Sequence, residues 1–438
     1  MATGNAVFVD AGGNSYSTGY FRGTVDFDPG PAVYNLTTVT GLNIILVDIY
    51  VTKFDAAGNF VWAKQMAGIL PPTNTNDADM GRGITVDASG NVYVTGYFIG
   101  TTDFDPGPGV LNLTSLGIGV PDVFVLKLDA SGNLVWVKQF GNAALAFTDK
   151  AYSIAVDANG NVYTTGLFYL TVDFDPGPGV YNLTATGGFN SFISKLDAAG
   201  NFVMAKQIGA GSTETRARSI TVDAAGNIYT TGNFFATGDF DPGTGTYNLT
   251  ALGDEDIFVS KLDPTGNFLW VKQMGGANTY FGDEGTSIAV DAAGNVCTTG
   301  FFSGTCDFDP GPGVYNKTAL YARDAFVSKL DAGGNFVWAA QFGGTGLWQH
   351  DDMGYVIKTD ANNNVYTVGY FNATVDFDPG PGIYNLSCPN NNNHLFVSKL
   401  TAGGNFSWAI DLDLSNYVGD FEGYGFDIHS SGDFFITG

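Results

Sequence analysis

The sequence predicts an all-β chain built as a β-propeller of four-stranded antiparallel blades, and three observations carry that prediction. The first is composition: 438 residues include 61 Gly, 16 Pro and only four Glu, with 14% aromatic side chains. Gly and Pro disfavour helices and supply turns, while aromatic and β-branched residues suit strands. The second is repetition: Phe-Asp-Pro-Gly recurs six times, beginning at Phe27, Phe104, Phe174, Phe240, Phe308 and Phe377, with spacings of 77, 70, 66, 68 and 69 residues. The third is that each repeat contains four short β-patterned runs, as many as one propeller blade needs.

The third repeat shows the elements most clearly. Residues 153–157 (SIAVD), 161–168 (NVYTTGLF), 192–197 (FISKLD) and 201–207 (NFVMAKQ) alternate or are largely apolar, as half-buried and buried strands do. Between the first two lies Asp157-Ala-Asn-Gly160-Asn161, and the same Asp-x-x-Gly-Asn turn separates the last two. The Asp side chain can bond the backbone two residues on, and Gly supplies the positive φ of a tight hairpin. Repeats are expected at about 6–75, 83–147, 152–212, 218–278, 286–348 and 355–412, all in one domain, with a half repeat at 424–438. Six full repeats and a hairpin give too many strands for six blades and too few for seven. Seven are favoured, the last incomplete, with six blades as the alternative. A half-built blade exposes an edge that natural proteins cover, so the chain is expected to be one monomeric domain of a longer protein.

Charge narrows the functions. With 43 acidic and 18 basic side chains the formal charge is −25, which makes nucleic acid and anionic membrane surfaces poor partners, and neither is expected. No apolar run approaches the roughly 20 residues of a membrane span, so no membrane insertion is expected. The opening MATGNAVFVDAGGN has neither the basic nor the apolar region of a signal peptide. Cys297, Cys306 and Cys388 lack a CxxC spacing. Cys297 stands where other repeats have Tyr, and Cys306 where they have Val, so buried free thiols are preferred to a local disulfide.

If the first strand of each blade is innermost, both Asp-x-x-Gly-Asn turns lie at one face. The Phe-Asp-Pro-Gly segments and the loops joining repeats then lie at the other. Those loops differ widely between repeats (68–83, 142–152, 209–218, 275–286 and 343–355), the arrangement of a rigid scaffold with a ligand face. The contact candidates there are Trp348 with Gln349, His350, Asp351 and Asp352, together with Tyr280, Arg216 and Arg218.

The most repeated acidic feature is Asp-Phe-Asp-Pro-Gly: Asp26/Asp28, Asp103/Asp105, Asp173/Asp175, Asp239/Asp241, Asp307/Asp309 and Asp376/Asp378. Two readings stand. A turn, in which Asp caps the backbone, Phe anchors the core and Pro-Gly sets the bend, is preferred. Calcium is the other, because carboxylates at i and i+2 of a strand share a side and are hard oxygen ligands.

Trp62, Trp136, Trp270, Trp338 and Trp408 recur at one position of the fourth strand, with Met204 as a sixth, and read as packing between blades. His350, His394 and His429 have no ligand spacing and read as surface or loop residues. The six Asn-x-Ser/Thr tripeptides, from Asn35 to Asn385, share one register and read as turn and strand residues.

The runs SIAVDAAGN, TTGFFSGTCDFDPGPGVYN and DAFVSKLDAGGNFVWAAQFGG (287 to 344, one gap) resemble the bacterial SBBP β-propeller repeat, with a strand order similar to NHL-type blades. That resemblance implies a bacterial source and carries no catalytic signature. RNA-binding NHL propellers use a basic face, from which this acidic chain departs. The expected function is a non-enzymatic, extracellular or cell-surface module that binds protein or glycan through the loop face and requires no cofactor. A propeller hydrolase or lyase and a structural spacer in a long surface protein are the alternatives.

Overall fold

The computed structural model describes the chain except residues 42–43, 46, 69–78, 144–147, 278–280, 345–350, 389–392, 413–424 and 430–431. Among the described residues all regular structure is β and no helix occurs. These residues form two compact bodies, 1–207 with 421–438, and 208–420.

The first body holds repeats one to three, each a four-stranded antiparallel sheet in sequence order. The third runs Lys150–Val156, Val162–Phe168, Asn190–Leu196 and Phe202–Ile208. Its two middle strands are buried along their whole length, which is why they read as apolar runs rather than alternating ones. First strands of successive repeats, Ala2–Val9, Met80–Val86 and Lys150–Val156, stand side by side, so the first strand is the inner one. The hairpin of Gly425–Ile428 and Phe434–Thr437 packs against Ala2–Val9, where Asp427 Oδ2 accepts the Val9 N–H at 2.7 Å.

The second body repeats the plan with first strands Thr215–Val222, Glu284–Val290 and Met353–Thr359. Each first strand has a one-residue bulge, at Arg218, Thr286 and Tyr355 here and at Asn5, Arg82 and Tyr152 in the first body. A bulge re-aims a side chain, and this register position differs in residue type between most of the repeats.

The turns form as their sequence dictates. Asp157 Oδ1 accepts the N–H groups of Asn159 and Asn161 at 2.9 Å, and Oδ2 accepts Asn161 Nδ2 at 2.7 Å and the Tyr163 hydroxyl at 3.0 Å. Gly160 sits at φ 77°, where a side chain would be strained.

Repeats are then stapled to one another. Trp136 Nε1 donates to Ala198 O in the next repeat at 3.2 Å, and its ring meets Tyr93 edge-on. Lys127 lies over the Tyr93 ring and donates to the same carbonyl at 3.0 Å. In the fifth repeat Cys297 removes that ring, and Lys329 instead pairs with Asp291 at 2.7 Å. All three cysteines are free and buried.

The Phe-Asp-Pro-Gly segment is more than a turn: it closes a two-stranded ribbon, such as Thr171–Asp173 with Asn182–Thr184. The tripeptide Asn182-Leu-Thr is its returning strand, and Thr171 and Thr184 join hydroxyls at 2.9 Å. The ribbon of the second repeat continues the sheet of the first, Thr102 opposite Gly68. Gly343 and Gly344 likewise pair with Asp376 and Val375. Three-residue strands are too short to show a period, which is why the sequence pattern reads only the bend.

Candidate functional site

The ribbon carboxylates come first. Asp173 Oδ1 accepts the N–H groups of Asp175 at 3.0 Å and Tyr181 at 2.8 Å, and Asp175 Oδ1 accepts Gly177 N–H at 2.8 Å. The first acids of the other five repeats, Asp26, Asp103, Asp239, Asp307 and Asp376, bond the backbone in the same way, with Leu111 in the tyrosine position of the second repeat. The second acids Asp28, Asp105, Asp241, Asp309 and Asp378 each accept on Oδ1, at 2.8 Å, the N–H of Gly30, Gly107, Gly243, Gly311 and Gly380 respectively. Phe174 between the paired acids is buried against Phe168 and Phe192.

These bonds are those of the preferred turn reading: in Asp26/Asp28, Asp103/Asp105, Asp173/Asp175, Asp239/Asp241, Asp307/Asp309 and Asp376/Asp378, Oδ1 of each carboxylate caps backbone donors of the bend. Among the described residues no three His, Cys, Asp or Glu side chains stand together as a metal site.

Of the loop candidates, Trp348, Gln349, His350 and Tyr280 lie outside the described residues. Arg216, Arg218 and Asp351 belong to one cluster at the ribbon end of the second body. Arg216 Nε meets Glu214 at 2.6 Å, with its guanidinium over Phe235. Arg218 Nε meets Glu284 at 2.8 Å, from the bulge of one repeat to the next. Arg323 Nη1 lies 3.6 Å from Asp351 Oδ2, with its guanidinium over Phe281 and Phe301. Tyr355 and Tyr370 pack at a tilt, with centroids 5.4 Å apart, and Tyr370 feels the charges of Asp351 and Arg323.

Glu255 bonds Asn233 Nδ2, and burial, then the Glu284 charge, push its carboxyl up to about 7 against the pull of Arg216. Nε of Arg323 and Oδ1 of Asn233 are buried without a hydrogen-bond partner. Partly exposed guanidiniums braced by carboxylates and aromatic faces can take acceptor groups bidentately and stack on planar ones. The cluster draws on three repeats, so no local motif announces it. The signal available in the sequence is the crowding of Glu214, Glu255 and Glu284 into the repeats that also hold Arg216, Arg218 and Arg323.

Two expectations need correction. Asp352 is buried, with Oδ1 accepting the Asn372 N–H at 2.9 Å, so it is a structural acid rather than an exposed contact. His394 is neither surface nor loop: it opens a third strand, is buried, and holds Asp411 at 2.9 Å through Nδ1.

Asp352 leads to residues that the sequence reading missed. Asp48, Asp122 and Asp324 stand at or next to the start of third strands and Asp256 at the matching register of the longer strand Asn248–Leu262, and Asp79, Asp149, Asp283 and Asp352 lie just before the first strands that follow. All eight are buried. Each of the first set accepts a glutamine Nε2 on Oδ2, at 2.6 Å from Gln139 to Asp122 and from Gln341 to Asp324. Each of the second accepts a backbone N–H twenty residues on, as Asp149 does from Tyr169 at 3.0 Å.

Burial pushes these acids up: Asp122 and Asp324 to about 6, Asp79 to about 7, Asp149 and Asp283 to about 8. At the opposite end the turn aspartates go the other way. Burial raises the Asp157 carboxyl, but bonds from Asn161, Tyr163 and the backbone outweigh it and hold the group below its usual range.

Comparison with known proteins agrees with this architecture. The SBBP family, described as a β-propeller repeat, matches residues 61–105, 135–167 and 205–233. An uncharacterized WD repeat-containing protein of Acanthamoeba polyphaga mimivirus is 31% identical over 213 residues, covering 44% of this chain and 14% of the viral protein. The regulatory protein FlaEY of Caulobacter vibrioides is 25% identical over 256 residues, covering 56% of this chain and 25% of FlaEY. The chain thus spans a quarter or less of the curated relatives it matches. A Bacteroides caccae protein of unknown function, known from a crystal structure, aligns with a TM-score of 0.37 at 10% identity, over 84% of this chain and 91% of that one. Six repeated sheets built on four antiparallel strands and three SBBP matches, at 61–105, 135–167 and 205–233, agree: the chain is a β-propeller repeat protein.

Proposed function

We propose that this propeller is a non-enzymatic binding module, a domain of a longer extracellular or cell-surface protein, which grips a protein or glycan through the ribbon-and-loop end of its repeats. The observation that carries this reading is asymmetry. The turn ends are near copies of one another, whereas the other end gathers Arg216, Arg218 and Arg323 with Glu214, Glu255, Glu284 and several aromatic rings in one body. Fixed scaffold with a differentiated rim is how repeat folds present ligands. Arg and aromatic residues are also the side chains that dominate contact energies.

A glycan and protein array probed with the wild type and with an Arg216→Ala/Arg323→Ala variant tests it. Ligands held by the wild type and lost by the variant, at unchanged melting temperature, support the reading. Absence of any ligand, together with turnover of a model glycoside or ester, replaces it with the hydrolase alternative.

A further inference from the structure

The inner strands of the first body gather two cations at a register where the second body has an ion pair. Arg82 fills the bulge of the second repeat as Arg218 fills that of the fourth. Lys150 opens the first strand of the third repeat, opposite Leu167, as Glu284 opens that of the fifth, opposite Phe301. In the second body this register joins Arg218 Nε to Glu284 at 2.8 Å. In the first it sets a lysine where the acid would stand. The residue ahead of the buried third-strand aspartate changes in the same sense, from Glu255 in the fourth repeat to Pro121 in the second.

Both cations converge on one ring. The Arg82 guanidinium carbon lies 5.6 Å and Lys150 Nζ 4.8 Å from the centroid of Tyr97, and Arg82 Nη2 donates to the Tyr97 hydroxyl at 3.1 Å. Both side chains are partly exposed. Among the described residues no carboxylate pairs with Arg82, and its Nε has no hydrogen-bond partner. The acids nearest in the chain are engaged elsewhere. Asp79 accepts the Ile99 N–H and the Thr102 hydroxyl, both at 2.9 Å, and Asp149 accepts the Tyr169 N–H at 3.0 Å and Asn142 Nδ2 at 2.8 Å. Asn5, in the bulge of the first repeat, donates Nδ2 to Gly81 O at 2.8 Å, the carbonyl joined to the Arg82 nitrogen. Its Oδ1 is left without a donor. A guanidinium without its acid, beside an ammonium and an unmet acceptor, calls for a bound group.

We propose that Arg82, Lys150 and Asn5 form a site for the carboxylate of a sugar acid, in the body that does not hold the Arg216 and Arg323 cluster. A guanidinium takes a carboxylate through two parallel N–H groups, and the ammonium of Lys150 adds charge to the same patch. A hydroxyl of the same sugar supplies the donor that Asn5 Oδ1 lacks. The formal charge of −25 repels polyanions at long range, so the ligand is a singly charged uronic acid unit rather than an acidic polymer. In the second body Glu284 already fills this place beside Arg218, so no such site forms at that register.

The test is an NMR titration of the full chain with methyl β-glucuronide, methyl β-glucoside and acetate, with melting temperatures alongside. The glucuronide should bind about tenfold more tightly than the neutral glucoside or acetate. Arg82→Gln should weaken it by about the same factor, and Arg82→Lys, which keeps the charge but not the fork, should recover part of the loss. Lys206→Gln makes the same change of charge on the fourth strand of the third repeat and should leave binding unaltered. Should Arg82→Gln fail to fold, Lys150→Gln carries the same comparison. Equal affinity for glucuronide and glucoside would overturn the inference, and so would acetate bound as tightly as the glucuronide. Equal losses in Arg82→Gln and Lys206→Gln would reduce the effect to net charge and overturn it too. Arg216 and Arg323 lie in the other body, so failure here leaves their role to the array experiment.

Discussion

The two ends of each repeat use the same residue for opposite purposes. At the turn end, Asp157 and its counterparts sit in a cage of N–H and O–H donors and stay ionised at low pH. At the ribbon end, Asp122 and Asp149 are buried, meet another acid, and are pushed towards protonation. What separates them is burial: Asp149 receives as many donors as some turn acids, but it and Asp122 are fully enclosed while Asp157 keeps contact with solvent, so only at the ribbon end does desolvation outweigh the donors. The turn end is therefore held by donors that favour ionised carboxylates, while the ribbon end holds carboxyls that burial pushes towards the protonated form.

The staple next to the turns should carry the largest effect. Trp62 is buried, donates to Ala130 O in the next repeat and packs on Tyr16, so Trp62→Ala should cost about 3–5 kcal/mol in urea unfolding. A loss below about 1 kcal/mol would mean that these rings do not hold the repeats together.

Exchanging Asp for Asn at each end sharpens the contrast. Asp157→Asn removes charge from the donor cage and should cost about 1–2 kcal/mol. In chelator at about pH 8, Asp122→Asn removes a buried charge and should be neutral or stabilising. Equal losses at the two positions would break the comparison.

The pH dependence follows from the same signs. The ribbon-end acids, raised to about 6 to 8, bind protons in the folded state that the unfolded chain has released. In chelator, stability should therefore fall as pH rises from about 5 to 8. The turn acids are held below their usual range, so their contribution is constant across that window and is lost only below about pH 4. A flat profile between pH 5 and 8 in chelator would contradict the assignment.

The smallest effect concerns the bend into the ribbon. Gly23, Gly100 and Gly304 take positive φ there, but Leu170 and Ala236 occupy the same register at φ 59° and 55°. Leu170→Gly should relieve that strain and raise stability by at most about 1 kcal/mol. A loss would show that the Leu170 side chain contributes more than its backbone costs.

These contrasts also explain what the sequence discloses. The Asp-x-x-Gly-Asn turns, the sheet order and the tryptophan position are local or periodic, so six copies make them plain. The ribbon strands are three residues long and show no period, so the sequence around Asp28, Asp105 and their counterparts points to a capped bend without disclosing the ribbon that the bend closes. Asp122 and Asp149 come from different repeats, and each alone resembles an ordinary strand-end aspartate. The cluster of Arg216, Arg218 and Arg323 is assembled by first-strand bulges and neighbouring sheets, which no pattern of spacing encodes. The burial of Asp352 and His394 is hidden for a similar reason, since the packing of other strands around them sets it.

The division of labour between the two ends is most directly tested by NMR titration of the chelator-treated protein carrying carbon-13 at the aspartate carboxyl carbon, assigned through Asp→Asn variants. The account predicts two populations. Asp87, Asp157 and Asp223 should titrate below the ordinary value of about 3.9, with Asp122 near 6 and Asp149 and Asp283 near 8. A single population, every aspartate titrating within about one unit of the ordinary value, would contradict it.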